Sequence, residues 1–126
     1  TLPVERRFAD LASVQRWVDA VLALDEVRTR WPQVPACNVR ARRGASRAHY
    51  ESPATIAVPP AGRWAMRELV LCHELAHHLT VHSPGGAADP GHGRMFAEGY
   101  LSLTGIVIGA EVSLLLRAGL HQAGAV

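Results

Sequence analysis

His73-Glu74-Leu75-Ala76-His77 is the stretch whose residue types and spacing can do chemistry, a match to H-E-x-x-H. Residues four apart share one face of a helix, with Cβ atoms about 5–6 Å apart. Two imidazoles so placed can both meet one Zn²⁺ at about 2.0–2.1 Å. Glu74 lies about 100° round from His73, near enough to reach a water on the metal without ligating the metal itself. A catalytic zinc keeps one position open and lowers the pKa of a water there toward ~7. Glu74 is then placed to take that water's proton and pass it to the leaving amine, a general base turned general acid. The surrounding segment is strongly apolar, so a glutamate and two imidazoles buried there without a metal or partners would be costly.

A third ligand is needed, and four residues are candidates. His78 points about 100° away from His77 and reads as a neighbour. His82 lies near the end of the same helix, but the long metzincin pattern needs Gly and His where Thr80 and Ser83 stand. Glu98 is a carboxylate on the next helix. His92 is the best placed: it follows His77 by fifteen residues across a Gly/Pro-rich loop. Asp89-Pro90 supplies a cap and a first helical position, which predicts His92 within the first turn of that helix.

The pair His73-Glu74-Leu75-Ala76-His77 and His92-Gly93-Arg94-Met95-Phe96 resembles the SprT-like zincins, in which H-E-x-x-H precedes a short H-G-x-x-F segment. The run Trp64 to His78, the segment from His92, and Ile108-Gly109-Ala110-Glu111 with Leu114-Leu115-Leu116-Arg117 resemble a family of small actinobacterial metallohydrolases. This likeness covers about residues 45–120. It implies a minimal zincin fold, His73, His77 and His92 as zinc ligands, and Glu74 as the catalytic residue. No zinc-ribbon or DNA-binding appendage is present, so the DNA-linked proteolysis of larger SprT-like proteins is not carried over. The run His73 to His82 is also similar to the ImmA/IrrE metallopeptidases, whose third ligand is a Glu, and this keeps Glu98 open.

The elements that must position these residues follow from periodicity. Val14, Trp17, Val18, Val21 and Leu22 recur at helical spacing and predict a packing helix from about Leu11 to Val27, capped by Asp10 or Ser13 and ended by Trp31-Pro32. Asn38 to Arg43, Ala48 to Ser52 and Thr55 to Val58 predict two or three short antiparallel strands, with Pro53 and Pro59-Pro60 as punctuation. A greasy helix from about Arg63 to Val81, including Trp64, should sit centrally. Residues 83–91 read as loop, Pro90 to Thr104 as a third helix, Gly105 and Gly109 as a break, and Ala110 to Gln122 as the last helix. The fold class is α+β: one domain over residues 1–126, with a small mostly antiparallel sheet, a central H-E-x-x-H helix and flanking helices.

Composition bounds the function classes. The chain has 126 residues and a formal charge of +2, too small to mark a nucleic-acid binder, and nucleic acid is not an expected partner. The charge is uneven: residues 1–63 hold ten Arg against six acids, residues 64–126 three against five. Arg40, Arg42, Arg43 and Arg47 cluster, reading first as a solvated face and second as an attraction for acidic peptides or nucleic acid. Two Cys, Cys37 and Cys72, cannot build a disulfide framework or a four-Cys zinc site. Cys72 reads as a buried small residue. His49-Tyr50 and Tyr100 read first as packing residues and second as donors to a transition-state oxyanion. No apolar run is long enough for a membrane span, and Thr1 to Glu5 lacks signal-peptide character, so a cytoplasmic location is expected. The expected function is zinc-dependent hydrolysis of a peptide or protein substrate. The alternatives are a catalytically idle zinc-binding interaction module and an ImmA/IrrE-like regulatory metallopeptidase using Glu98.

Overall fold

A computed structural model describes residues 6–44, 47–60, 67–88 and 91–122. Among the described residues no helix is long and apolar enough to cross a membrane. The first helix, α1 (Leu11–Leu22), starts where Asp10 Oδ1 accepts the Ser13 N–H at 2.8 Å, satisfying one of the orphan donors of a helix start. Its stripe Val14, Trp17, Val18 and Val21 is buried, as the spacing predicts. The predicted single helix is in fact two. Leu24 is extended, and α2 (Asp25–Arg30) begins after it with Asp25 and Glu26 in its first turn, where the helix dipole favours acids. That local start signal competes successfully with continuation of α1.

The sheet is mixed rather than mostly antiparallel. Its strands β1 (Asn38–Ala41), β2 (His49–Glu51) and β3 (Thr55–Val58) lie in the order β1-β3-β2. β3 is the most apolar of the three, with Ile56, Ala57 and Val58 all fully buried, and it takes the central place where both edges are paired. A tight turn joins β2 to β3, so that pair is antiparallel, with His49 opposite Ala57. β1 then pairs with the other edge of β3 in parallel, with Asn38 opposite Thr55.

The central helix α3 runs over Glu68–Val81. Arg67 before it is extended and forms an isolated bridge with Arg7, and the Glu68 N–H donates to the Arg6 carbonyl at 2.9 Å. The predicted start at Arg63 and the packing of Trp64 lie outside the described residues. Leu71, Cys72, Leu75, Ala76 and Leu79 are completely buried, so α3 is the core helix that its composition predicts. The carboxylate of Glu68, also buried, accepts from the Trp17 indole N–H at 2.8 Å and from the Arg6 N–H at 3.0 Å, tying α1 to the start of α3.

After α3 the chain turns back through a short 3₁₀ segment, Gly86–Ala88. Gly86 is required there: a Cβ at that position would lie 1.6 Å from the Thr80 carbonyl oxygen. α4 (Arg94–Val107) and α5 (Ala110–Gln122) complete the fold, α4 packing on both α3 and α5. α4 starts at Arg94 rather than Pro90; Asp89 and Pro90 lie outside the described residues, and Gly93 is the residue before the helix. Gly105 does not break α4, which passes through it; the turn to α5 is made at Gly109, with φ of 148°, a conformation open to glycine.

The two cysteines are both buried and not disulfide-bonded. Burial, reinforced by the nearby Asp19 carboxylate, pushes the Cys37 thiol up to about 12, and the thiolate is the reactive form. Cys37 in the folded protein is therefore expected to resist iodoacetamide at pH 8 and to react fully in denaturant, as read by intact mass spectrometry.

Candidate metal centre

His73 and His77 stand one turn apart on α3, their ring centroids 5.1 Å from each other. His92 reaches the same spot from the turn preceding α4, with centroids 5.0 Å from His73 and 4.9 Å from His77. The predicted third ligand is thus in place, though before the helix and not in its first turn. Each residue offers a ring nitrogen, and the three nitrogens lie within 4.8 Å of one another. His77 Nε2 and His92 Nε2 are 3.2 Å apart.

These residues fit a cation. Ligands about 2.0–2.1 Å from a tetrahedral centre are themselves about 3.3 Å apart, close to the His77–His92 separation. Burial, with smaller contributions from His73 and His92, holds His77 down to about 4 against the opposing pull of Glu74. It is neutral near pH 7, which is the ligating form of imidazole.

Phe96, on α4 and only 5% exposed, lies against all three rings, with centroids 5.0 Å from His73, 4.3 Å from His77 and 4.9 Å from His92. It is the shared apolar wall that fixes where the imidazoles stand. In the sequence Phe96 closes the H-G-x-x-F segment, four residues after His92, and that spacing is the signal that it belongs to the site. Phe96→Leu is expected to cost about 1–1.5 kcal/mol of stability and to weaken metal binding several-fold, measured by thermal melting and a chelator titration.

Glu74 is buried, and its Oε2 lies 2.9 Å from His73 Nδ1. The carboxylate thus orients the His73 ring and leaves Nε2 as the nitrogen available to a cation. His73 and Glu74 line a cleft of about 390 Å³, together with the half-buried Tyr100. The Tyr100 ring meets His73 edge-on at 5.5 Å.

The remaining candidates are placed elsewhere. His78 is fully buried, with Nδ1 2.9 Å from the Tyr50 hydroxyl and Nε2 donating to the Pro35 carbonyl at 2.8 Å. Burial lowers its pKa. His82 Nε2 donates to the Pro53 carbonyl at 2.6 Å. Both histidines clamp loops onto α3. Tyr50 also donates to the Pro53 carbonyl, so its hydroxyl is engaged away from the cleft. His49 stands 2.9 Å from Glu51, whose carboxyl Arg40 and then His49 hold down to about 2. Glu98 pairs with Arg117 at 3.3 Å and is not part of the histidine cluster. Cys72 is buried in the core, as expected. Glu68, which sequence reasoning did not single out, proves to be a buried structural acceptor; its position in the first turn of a helix is the one hint of it.

No protein-family model matches the chain, and neither a curated protein nor a solved structure matches it.

Proposed function

We propose that this chain is a zinc-dependent hydrolase acting on peptide bonds, a minimal zincin of the SprT-like kind. The observation that carries the proposal is the convergence of His73, His77 and His92, with His73 and the adjacent Glu74 lining an open cleft. An all-imidazole donor set suits zinc among the abundant divalent ions, and a zinc ion held there supplies Lewis acidity and makes a water available as nucleophile near neutral pH.

The chain's own residues do the rest. His73, His77 and His92 would hold the cation through their ring nitrogens. Glu74 takes a proton from the attacking water and delivers it to the amine as the C–N bond breaks. Its contact with His73 keeps the carboxylate at the edge of the site and out of the ligand set. Tyr100 lines the cleft and its hydroxyl donates to the Leu69 carbonyl over a long 3.4 Å; turned from that carbonyl, it is the donor proposed to support the developing oxyanion. Among the described residues the outer edge of β2 has no strand partner, and an extended peptide can add there by main-chain hydrogen bonds.

The contact between Glu74 and His73 is also what a purely metal-holding module would use. The two readings part on metal-dependent turnover. Purified protein is expected to carry one zinc per chain by mass spectrometry and to cleave a quenched-fluorescent peptide library. That activity should vanish on treatment with a chelator and return with stoichiometric zinc. Cleavage unaffected by the chelator, or zinc-replete protein that cleaves nothing across the library, sinks the hydrolase reading.

A further inference from the structure

The cleft lined by His73 and Glu74 is also lined by Arg47, Arg67, Leu69 and Val70. Its lining therefore includes two arginines and one acidic residue, Glu74, whose carboxylate lies against His73. Arg40 and Arg42 of the same region do not line the cleft. Arg40 is paired with Glu51 at 2.5 Å, and Arg42 donates to the Arg47 backbone carbonyl at 2.7 Å. Of the four arginines clustered in the sequence, Arg40 is thus paired with a carboxylate, Arg42 braces the chain, Arg43 is exposed, and Arg47 lines the cleft.

We propose that the arginines of this cleft select a carboxylate on the substrate, within about two residues of the bond presented at the metal centre. The inference rests on the peptide-hydrolase reading for its substrate class. Arg67 and His73 are six residues apart, with both the extended residue before α3 and its second turn facing the cleft, a separation of roughly 9 Å at 1.5 Å per residue. An extended peptide advances about 3.3 Å per residue, so fewer than three residues span that distance. The long arginine side chains shorten it further. Leu69 and Val70 supply an apolar wall for the aliphatic part of an acidic side chain, and the guanidinium groups supply forked donors that match a carboxylate. The same chemistry is offered by an internal Glu or Asp and by a free C-terminal carboxylate.

Binding tests this separately from turnover. Zinc-loaded Glu74→Gln protein is titrated against three fluorescein-labelled octapeptides of Ala and Leu: one with an internal Glu and an amidated C-terminus, one with Gln in its place, and the Gln peptide with a free C-terminal carboxylate. Fluorescence anisotropy at low salt is expected to show about tenfold tighter binding of at least one acidic peptide than of the Gln amide. Which peptide gains identifies the source of the carboxylate. The gain should shrink as salt is raised toward ~0.5 M, where exposed charges are screened. It should also be largely lost when the exposed Arg47 is additionally changed, Arg47→Gln, with Arg67→Gln as the second variant and thermal melting as the check on folding. Equal affinity for all three peptides, no binding of any, or a preference that survives both arginine changes overturns the proposal. A preserved acidic preference in a protein that cleaves no peptide instead leaves this inference standing and removes the hydrolase reading.

Discussion

Glu74→Gln is expected to retain stoichiometric zinc while losing about 10²–10⁴-fold in kcat on any peptide the unmodified protein cleaves, the range for removing a positioned general base. The substitution is close to isosteric at a buried position, so packing is kept. The amide oxygen of Gln can still accept from the His73 Nδ1–H that Glu74 Oε2 faces at 2.9 Å, and the ring keeps its orientation. What is lost is the ability to take up a proton. KM should change little, because Glu74 is assigned to the reacting water and not to the substrate's side chains. Kinetics on a single cleaved peptide, with zinc content measured on the same preparation, checks both halves. Activity surviving the change removes Glu74 as the base; zinc loss with the activity would mean that its main contribution is to hold His73.

What could be read from the sequence here was local. The i, i+4 spacing of His73 and His77 is a property of one helix, and a helix as apolar as α3 has only the centre of the fold to occupy. The stripe of α1 is legible for the same reason. The parallel pairing of β1 with β3 was not legible, because it depends on which strand takes the middle. That in turn depends on how completely Ile56, Ala57 and Val58 are covered by the rest of the chain. The break at Leu24 was hidden because apolar spacing runs across it, while the acids that start α2 pull the other way. The roles of Glu68 and Phe96 are tertiary by nature. A carboxylate that accepts from Trp17, 51 residues away, has no signature in its neighbours. Phe96 touches three imidazoles from two separate segments, a fact that arises only when α4 folds back on α3.

His92→Ala is expected to lower zinc affinity roughly 10²–10³-fold, whereas Glu98→Ala should leave it within a factor of about three. The first figure follows from sharing an apparent binding free energy of about 10–16 kcal/mol among a few ligands, so that losing one costs about 3–4 kcal/mol, softened by a water that replaces it. His92 is the only one of the three candidate ligands contributed from outside α3, and its Nε2 already lies 3.2 Å from that of His77. Removing it leaves two ligands on a single helix turn, unable to enclose the ion. Glu98 starts from a different place. Its carboxylate is 3.3 Å from the Arg117 guanidinium, both side chains more than 40% exposed, and an ion pair that open to water contributes about 0–1 kcal/mol to stability. For Glu98 to become a ligand it would have to leave Arg117, on α5, and reach the other side of α4. A competitive chelator titration of the two variants beside the unmodified protein gives the ranking directly, with thermal melting to show that Glu98→Ala is near neutral. The reverse ranking would make the site a two-histidine, one-carboxylate centre of the ImmA/IrrE kind. It would also require α4 to turn by more than a third of a revolution about its axis when metal binds, taking Phe96 away from the imidazoles it now supports.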